Sequence, residues 1–349
     1  MSAVAEVSGE VVLRGSPSGP LSGDIVVPGD KSMSHRALIL GGMADGETRI
    51  SGLLEGDDVL HTAEAVRALG ATIERHGPGE WTVRGAVWHD PAGELDCGNS
   101  GTAARLLMGA VAGLPITATF AGDKSLSSRP MARVLDPLRA MGARTKGDTL
   151  PVTIQGGNLH GIRFVNEKAS AQVKSAILFA GLRATGDVEI VEPVPSRDHS
   201  ENMLRAFGCE VHSEGGTVRL GEQRTLSGTD VAIPGDPSSA AFAIVAALIL
   251  PPSRITIRNV MTNPGRTGLI TTLMEMGADV RLDNLQSTGG EAVADLTAAA
   301  SPLEGVEVPA ERAPAMIDEY PILAIAAAFA RGRTVMHGIA ELRVKESNR

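Results

Sequence analysis

Four stretches of the chain put cations, hydroxyls, amides or acids where the pattern predicts helix starts. Lys31, Ser32 and Arg36 stand in DKSMSHRALIL, and Asn99, Ser100, Gly101, Thr102 and Arg105 in GNSGTAARLLMGAV. Ser170 and Gln172 open SAQVKSAILFAGL, and Asp318 and Glu319 open DEYPILAIAAAFA. Beside them lie GDKSLSSRPM with Arg129, SRDHS with Arg197, and the last residues RVKESNR with Lys345, Glu346 and Arg349. A helix N-terminus already carries partial positive charge, so Lys31 and Arg36 at that end cost local stability. An incoming anion reverses the cost, because free N–H groups, hydroxyls and two cations then converge on it. The expected chemistry is the binding of small, multiply anionic molecules, with Asp and Glu available as acid–base groups.

Each group also has a plainer reading. Asn99 to Thr102 and Asp318 are good helix caps. Arg129 before Pro130 could be a surface arginine, Arg197 and Asp198 a local pair of small worth, and KES a solvated face. The joint pattern outweighs the separate readings, since equivalent positions in several segments carry these groups. GNSGT lacks the spacing of a P-loop, no GxGxxG follows a strand, and no HExxH occurs. The eight His show no ligand spacing. No nucleotide, cofactor or metal is expected.

The elements that carry these groups repeat. AVRALGATI, PLRAMGART, MLRAFGCEV and TLMEMGADV each end an apolar helix with a glycine followed by a strand. The glycines, Gly70, Gly142, Gly208 and Gly277, recur about every 70 residues and suit the left-handed position after a helix. Each unit opens with a polar loop, a helix of small residues and a β-branched strand such as TRISG, ITATF, VEIVE, ITIRN or TVMHG. Met33, Ala37 and Leu40 share one face of the first such helix, and Ala104, Leu107, Met108 and Val111 one face of the second. Five unit starts are visible, and the fifth stops at Arg349 before its second helix.

Composition narrows the classes. The chain has 349 residues, 43% hydrophobic and 21% charged, enough for two globular domains. Its formal charge of −9 and its 3% aromatic residues argue against a nucleic-acid surface or an anionic membrane as partner. Two cysteines suit a reducing cytoplasm and exclude a disulfide framework. The first residues resemble neither a secretory nor a transit signal, and no apolar run spans a membrane.

PGDKSMSHRALIL, LDCGNSGTAARLL, GDKSLSSRPM, SAQVKSAILFAGL, SRDHSENML, IDEYPILA and LRVKESNR, in that order along nearly the whole chain, resemble the 3-phosphoshikimate 1-carboxyvinyltransferases, the 5-enolpyruvylshikimate-3-phosphate (EPSP) synthases of the shikimate pathway. SAQVKSA and SRDH are closer to the class II branch. The resemblance implies an α/β fold of repeated β/α units in two domains, the inside-out α/β barrel of the enolpyruvyl transferases. One domain would be 1–21 plus 235–349, the other 22–234 with three repeats. The chain would cross near Pro20–Asp24 and return near Pro234–Asp236. Against the family, the sixth repeat is absent here and the fifth incomplete, so a monomer is expected only of a complete chain, and the activity of this chain is open.

The resemblance also implies the reaction: the enolpyruvyl group of phosphoenolpyruvate moves to the 5-hydroxyl of shikimate 3-phosphate, releasing phosphate. Lys31, Ser32, Arg36, Ser170, Gln172, Arg197, Asp318 and Lys345 would bind shikimate 3-phosphate. Lys31, Asn99, Gly101, Arg129, Gln172 and Arg349 would bind phosphoenolpyruvate. Asp318 would take the hydroxyl proton, and Glu346 or Lys31 would handle the carbon proton. UDP-N-acetylglucosamine enolpyruvyl transferase is the near alternative, disfavoured because no Cys lies between Gly122 and Arg129. RNA 3′-phosphate cyclase shares the fold but needs a nucleotide site. A non-catalytic binder of phosphorylated metabolites is the alternative from another class.

Overall fold

The computed structural model describes residues 19–344. Lys345, Glu346 and Arg349 lie outside the described residues. Eleven α-helices are described: α1 Lys31–Met43, α2 Asp57–Ala68, α3 Gly101–Ala112, α4 Lys124–Ser127, α5 Ala132–Ala140, α6 Ala171–Gly181, α7 His199–Ala206, α8 Pro237–Ile249, α9 Gly268–Glu275, α10 Ala313–Met316 and α11 Tyr320–Phe329.

One module recurs four times among the described residues. A buried helix leads into a strand that pairs parallel with an earlier or later strand. A second helix follows, and then a hairpin that pairs antiparallel with the first strand. In the first module Glu47–Ser51 lies parallel to Asp230–Ala232 and antiparallel to Glu80–Arg84, which pairs with Thr72–Gly77. Thr117–Ala121, Thr185–Val191 and Arg254–Met261 have the same neighbours in kind. A fifth parallel pair joins Glu307–Val308 and Val335–Met336. The glycines after the second helices, Gly70, Gly142, Gly208 and Gly277, have φ of 122°, 111°, 88° and 86°. These are left-handed values, as a helix-ending Gly requires.

The helices with small residues lie inside and the sheets outside. In α3 only Thr102 and Arg105 escape full burial. A Cβ on Gly109 would come 2.3 Å from the Ala176 carbonyl oxygen, so α3 and α6 touch through their backbones. The core splits in two. One cluster runs from Met33 to Ile233 with Met261 added, and the other from Ala240 to Leu342, with Leu21 and Val27 packed against it. α8 and α11 are less enclosed than α1, α3 and α6, with Phe242, Ile325 and Phe329 exposed.

Strand Ser22–Val26 pairs with Arg254–Met261, so it belongs to the sheet of the smaller core and not with the segment 22–234. Its partner lies more than 200 residues away, which five residues of local pattern cannot reveal. The chain therefore passes between the cores at 27–30, a few residues beyond the expected Pro20–Asp24.

Candidate active site

Helix α1 starts where the sequence puts it. Asp30 caps it, accepting a hydrogen bond from the Met33 amide at 2.8 Å. Lys31 is the first helical residue, and its Nζ lies 3.1 Å from Asp58 on α2, with the lysine side chain 46% exposed. Such an exposed pair contributes little, so the ammonium can exchange Asp58 for a better anion. Ser32 presents its carbonyl oxygen to Arg36 Nη1 at 2.8 Å.

Arg36 is buried, and its donors are spread over three elements. Nε donates to Ser200 Oγ on α7 and Nη2 to Ser175 Oγ on α6, both at 2.8 Å. The two hydroxyls also meet each other at 2.6 Å. Among the described residues no carboxylate makes an ion pair with this guanidinium. Burial is the main cause that lowers its pKa to about 10, with Asp30 and Glu201 opposing from a distance. A buried cation held only by neutral oxygens favours an anion beside it, because unpaired charge is costly out of water.

Neighbouring His35 is no acid–base candidate. It is buried, its Nδ1 meets Thr62 Oγ1 at 2.7 Å, and burial, Lys31 and Arg36 lower its pKa to about 3.

The starts of α3 and α6 are joined through Gln172. Its Oε1 accepts from Arg105 Nη1 at 2.9 Å and its Nε2 donates to Thr102 Oγ1 at 2.9 Å. Ser170 caps α6, its hydroxyl accepting from the Val173 amide. Ser100, not Asn99, caps α3. Asn99 instead accepts from Arg129 Nη2 and donates to Asp123 Oδ2, each at 2.7 Å. Gly101 faces both arginines: a Cβ there would sit 2.5 Å from Arg105 Nη1 and 3.4 Å from Arg129 Nη1.

The smaller core supplies Asp318, whose Oδ2 accepts from Arg197 Nη2 at 3.2 Å. Burial, followed by Arg266, lowers the Arg197 pKa, while Asp318 opposes this. Asp318 lies in a turn before α11. The cap position belongs to Glu319, with Pro321 in the first turn, which corrects the reading of Asp318 as the cap.

The structure thus joins Asn99 to Arg129, Gln172 to Arg105 and Thr102, and Arg197 to Asp318, while Lys31 pairs with Asp58. Ser175 and Ser200 escaped the residues drawn from sequence, and Arg105, named there at its helix start, was assigned to neither substrate. Ser175 lies one turn past Ala171 in SAQVKSA and Ser200 ends SRDHS, so both motifs held the signal. Asp198, His199 and Glu291 place three ligand atoms within 4.8 Å of one another. Glu291 already accepts from His199 Nδ1 at 2.8 Å and from Asn263 Nδ2 at 2.7 Å, so this group serves as a hydrogen-bonded bridge between the cores. Among the described residues no helix is long and apolar enough to cross a membrane.

The family model described as EPSP synthase (3-phosphoshikimate 1-carboxyvinyltransferase) matches residues 16–349. The chain is 57% identical to the 3-phosphoshikimate 1-carboxyvinyltransferase of Caulobacter vibrioides, over 97% of this chain and 79% of that protein. It is 58% identical to that of Acidiphilium cryptum, over 95% and 77%. The solved EPSP synthase of Acinetobacter baumannii superposes with a TM-score of 0.87 at 46% identity, covering 95% of this chain and 77% of that one. The enolpyruvyl transferase NikO of Streptomyces tendae gives 0.71 at 22% identity, which shows a shared fold. With the motifs in order, the helix starts converging and relatives this similar over nearly its whole length, the chain belongs to the EPSP synthase family, the 3-phosphoshikimate 1-carboxyvinyltransferases of the shikimate pathway.

Proposed function

We propose that the two anionic substrates lie between the helix starts of the larger core and the Asp318 turn of the smaller one. Shikimate 3-phosphate takes Ser32, Arg36, Ser170, Gln172, Arg197 and Lys345. Phosphoenolpyruvate takes Asn99, Gly101, Arg129, Gln172 and Arg349, and Lys31 lies between the two. The observation that carries this reading is Arg36, a buried guanidinium among neutral oxygens with no carboxylate pair among the described residues. Planar guanidinium forks suit carboxylates and phosphates.

The reaction is addition followed by elimination. The 5-hydroxyl oxygen bonds to C2 of phosphoenolpyruvate. Its proton passes to Asp318, and C3 gains a proton from Glu346 or Lys31, giving a tetrahedral intermediate. Loss of the proton from C3 and departure of phosphate from C2 then restore the double bond. Arg197, an acceptor-site residue in this reading, donates to Asp318, which supports Asp318 for the first transfer. The two core clusters support a division into a discontinuous domain, 19–27 with 235–344, and a three-repeat domain between them. Two free, buried cysteines support a reducing cytoplasmic setting.

Asp318→Asn tests the reading. Removing the base lowers kcat by about 10²–10⁴-fold, while the Kd for shikimate 3-phosphate, measured by titration calorimetry, changes less than about fivefold. Turnover within tenfold of the parent removes Asp318 from the proton transfer.

A further inference from the structure

The two crossings between the cores run side by side in opposite directions. The Asp30 amide donates to the Pro234 carbonyl and the Asp236 amide to the Pro28 carbonyl, each at 2.9 Å, around a Gly29–Gly235 bridge. Glycine is required at 29, where a Cβ would lie 1.9 Å from the Gly52 carbonyl oxygen. Each crossing ends in an aspartate that caps the next helix. Asp30 caps α1, which begins with Lys31, and Asp236 caps α8.

Arg266, from the loop before α9, reaches both aspartates. Its Nη1 donates to Asp30 Oδ2 at 2.8 Å, and its Nη2 to Asp236 Oδ1 at 2.9 Å and Ser238 Oγ at 2.8 Å. The side chains are 4% exposed for Arg266, 0% for Asp30 and 13% for Asp236. Ser238 in turn donates to the buried carboxylate of Glu319, the residue after Asp318. Burial is the largest influence on the Asp30 pKa and raises it, but Arg266, His199, the Met33 amide and Arg197 together outweigh it and the net shift is downward. Glu319 moves the other way, because burial exceeds the pull of Arg266.

We propose that Arg266 is a positioning residue for the reaction: it locks the two crossings together through Asp30 and Asp236 and, through Ser238 and Glu319, sets the Asp318 turn against the helix starts that hold the acceptor. The proposal rests on the reading of Asp318 as the base. A planar fork can span two carboxylates and a hydroxyl at once, whereas a lysine ammonium is a point charge on a flexible stem. Arg266→Lys therefore preserves the charge and loses the geometry. Most of the proposed acceptor contacts lie on the larger core, so the loss falls on kcat and not on acceptor binding.

The test compares Arg266→Lys with the parent enzyme by phosphate release and by titration calorimetry with shikimate 3-phosphate. The expected result is a kcat lower by about 10–100-fold, with binding stoichiometry near one and Kd within about threefold. Adding Glu319→Gln to Arg266→Lys should cost little more than the worse single change, since both act on one network. Three results overturn the proposal: kcat within threefold, stoichiometry falling in step with kcat, or losses that multiply in the double variant. If Arg266→Lys does not fold, Asp236→Asn takes its place, keeping the Asp30 arm. A kcat loss of about 3–30-fold at unchanged Kd supports the proposal there, and unchanged kcat overturns it. Asp318→Asn is run in parallel. If it keeps its turnover, the reading of Asp318 fails; if it loses turnover while Arg266→Lys does not, only the role of Arg266 fails.

Discussion

Replacing Gly101 with alanine should weaken phosphoenolpyruvate through Arg105. The new methyl would stand 2.5 Å from Arg105 Nη1, closer than a carbon and a nitrogen can rest. The arginine end must move, and it is held there by Gln172 Oε1 at 2.9 Å and the Gly101 carbonyl at 3.2 Å. Displacing it breaks a charged hydrogen bond worth about 1.5–3 kcal/mol and frees Gln172, which is proposed to face both substrates. At about 1.4 kcal/mol per factor of ten, KM for phosphoenolpyruvate rises about 10–150-fold. Arg129 Nη1, 3.4 Å from the same methyl, needs to yield only slightly. A donor-site ligand longer than phosphoenolpyruvate should lose more than phosphoenolpyruvate does. The assay is steady-state phosphate release for Gly101→Ala, Arg105→Ala and the double variant. If the clash with Arg105 is the cause, Gly101→Ala adds little once Arg105 is gone. A KM within threefold of the parent, or fully multiplicative losses, refutes the argument.

Lys31→Met and Arg129→Ala should each lower kcat/KM by at least about 30-fold, since losing a charged donor to a bound anion costs about 2–5 kcal/mol. Neither should shift the melting temperature by more than about 2 °C, because the Lys31–Asp58 pair is exposed and such pairs stabilise by at most about 1 kcal/mol. Near-parent turnover at low substrate would remove either residue from the site. Glu55 accepts from Arg75, the Gly79 amide and the Trp81 indole, and Arg75 is the first cause that lowers its pKa to about 2. Its contribution is therefore full above the ordinary value near 4.5 and is lost as pH falls toward 2. With the side chain 28% exposed, screening leaves about 1–2 kcal/mol. Glu55→Gln should lower the melting temperature by about 2–6 °C at pH 7 and by little near pH 2. The Trp81 emission follows the change, and an equal loss at both pH values contradicts it.

What the sequence made legible was local. A glycine after an apolar helix fixes a left-handed residue by itself, and the φ values of Gly70, Gly142, Gly208 and Gly277 follow. Ser100, within the stretch Asn99 to Thr102 that reads as a cap, does cap α3, since a cap needs only the next three residues. The start of α11 was readable too, and was missed: Pro321 belongs in a first turn, which puts Glu319 and not Asp318 at the cap. Strand Ser22–Val26 was not readable, because its assignment depends on a partner beyond residue 250.

The site follows the same division. Motifs gave the residue types, but the partner of each charge comes from another repeat. Arg36 finds its hydroxyls 139 and 164 residues away, and Arg197 finds Asp318 across 121. A helix start in one repeat can cap itself but cannot surround an anion alone. Packing α1, α3 and α6 inside the sheets by their small residues brings three such starts within reach of one another. The same close packing that demands Gly109 between α3 and α6 lets Gln172 bridge to Arg105 and Thr102. The alanines and glycines that read as mere core are thus what places the arginines. That is how a chain with a formal charge of −9 would build the proposed cleft for two anions: many of its acids pair on the sheets outside, as Glu47 with Arg49 and Glu189 with Arg219, while among the described residues Arg36 is held by two hydroxyls and a backbone carbonyl.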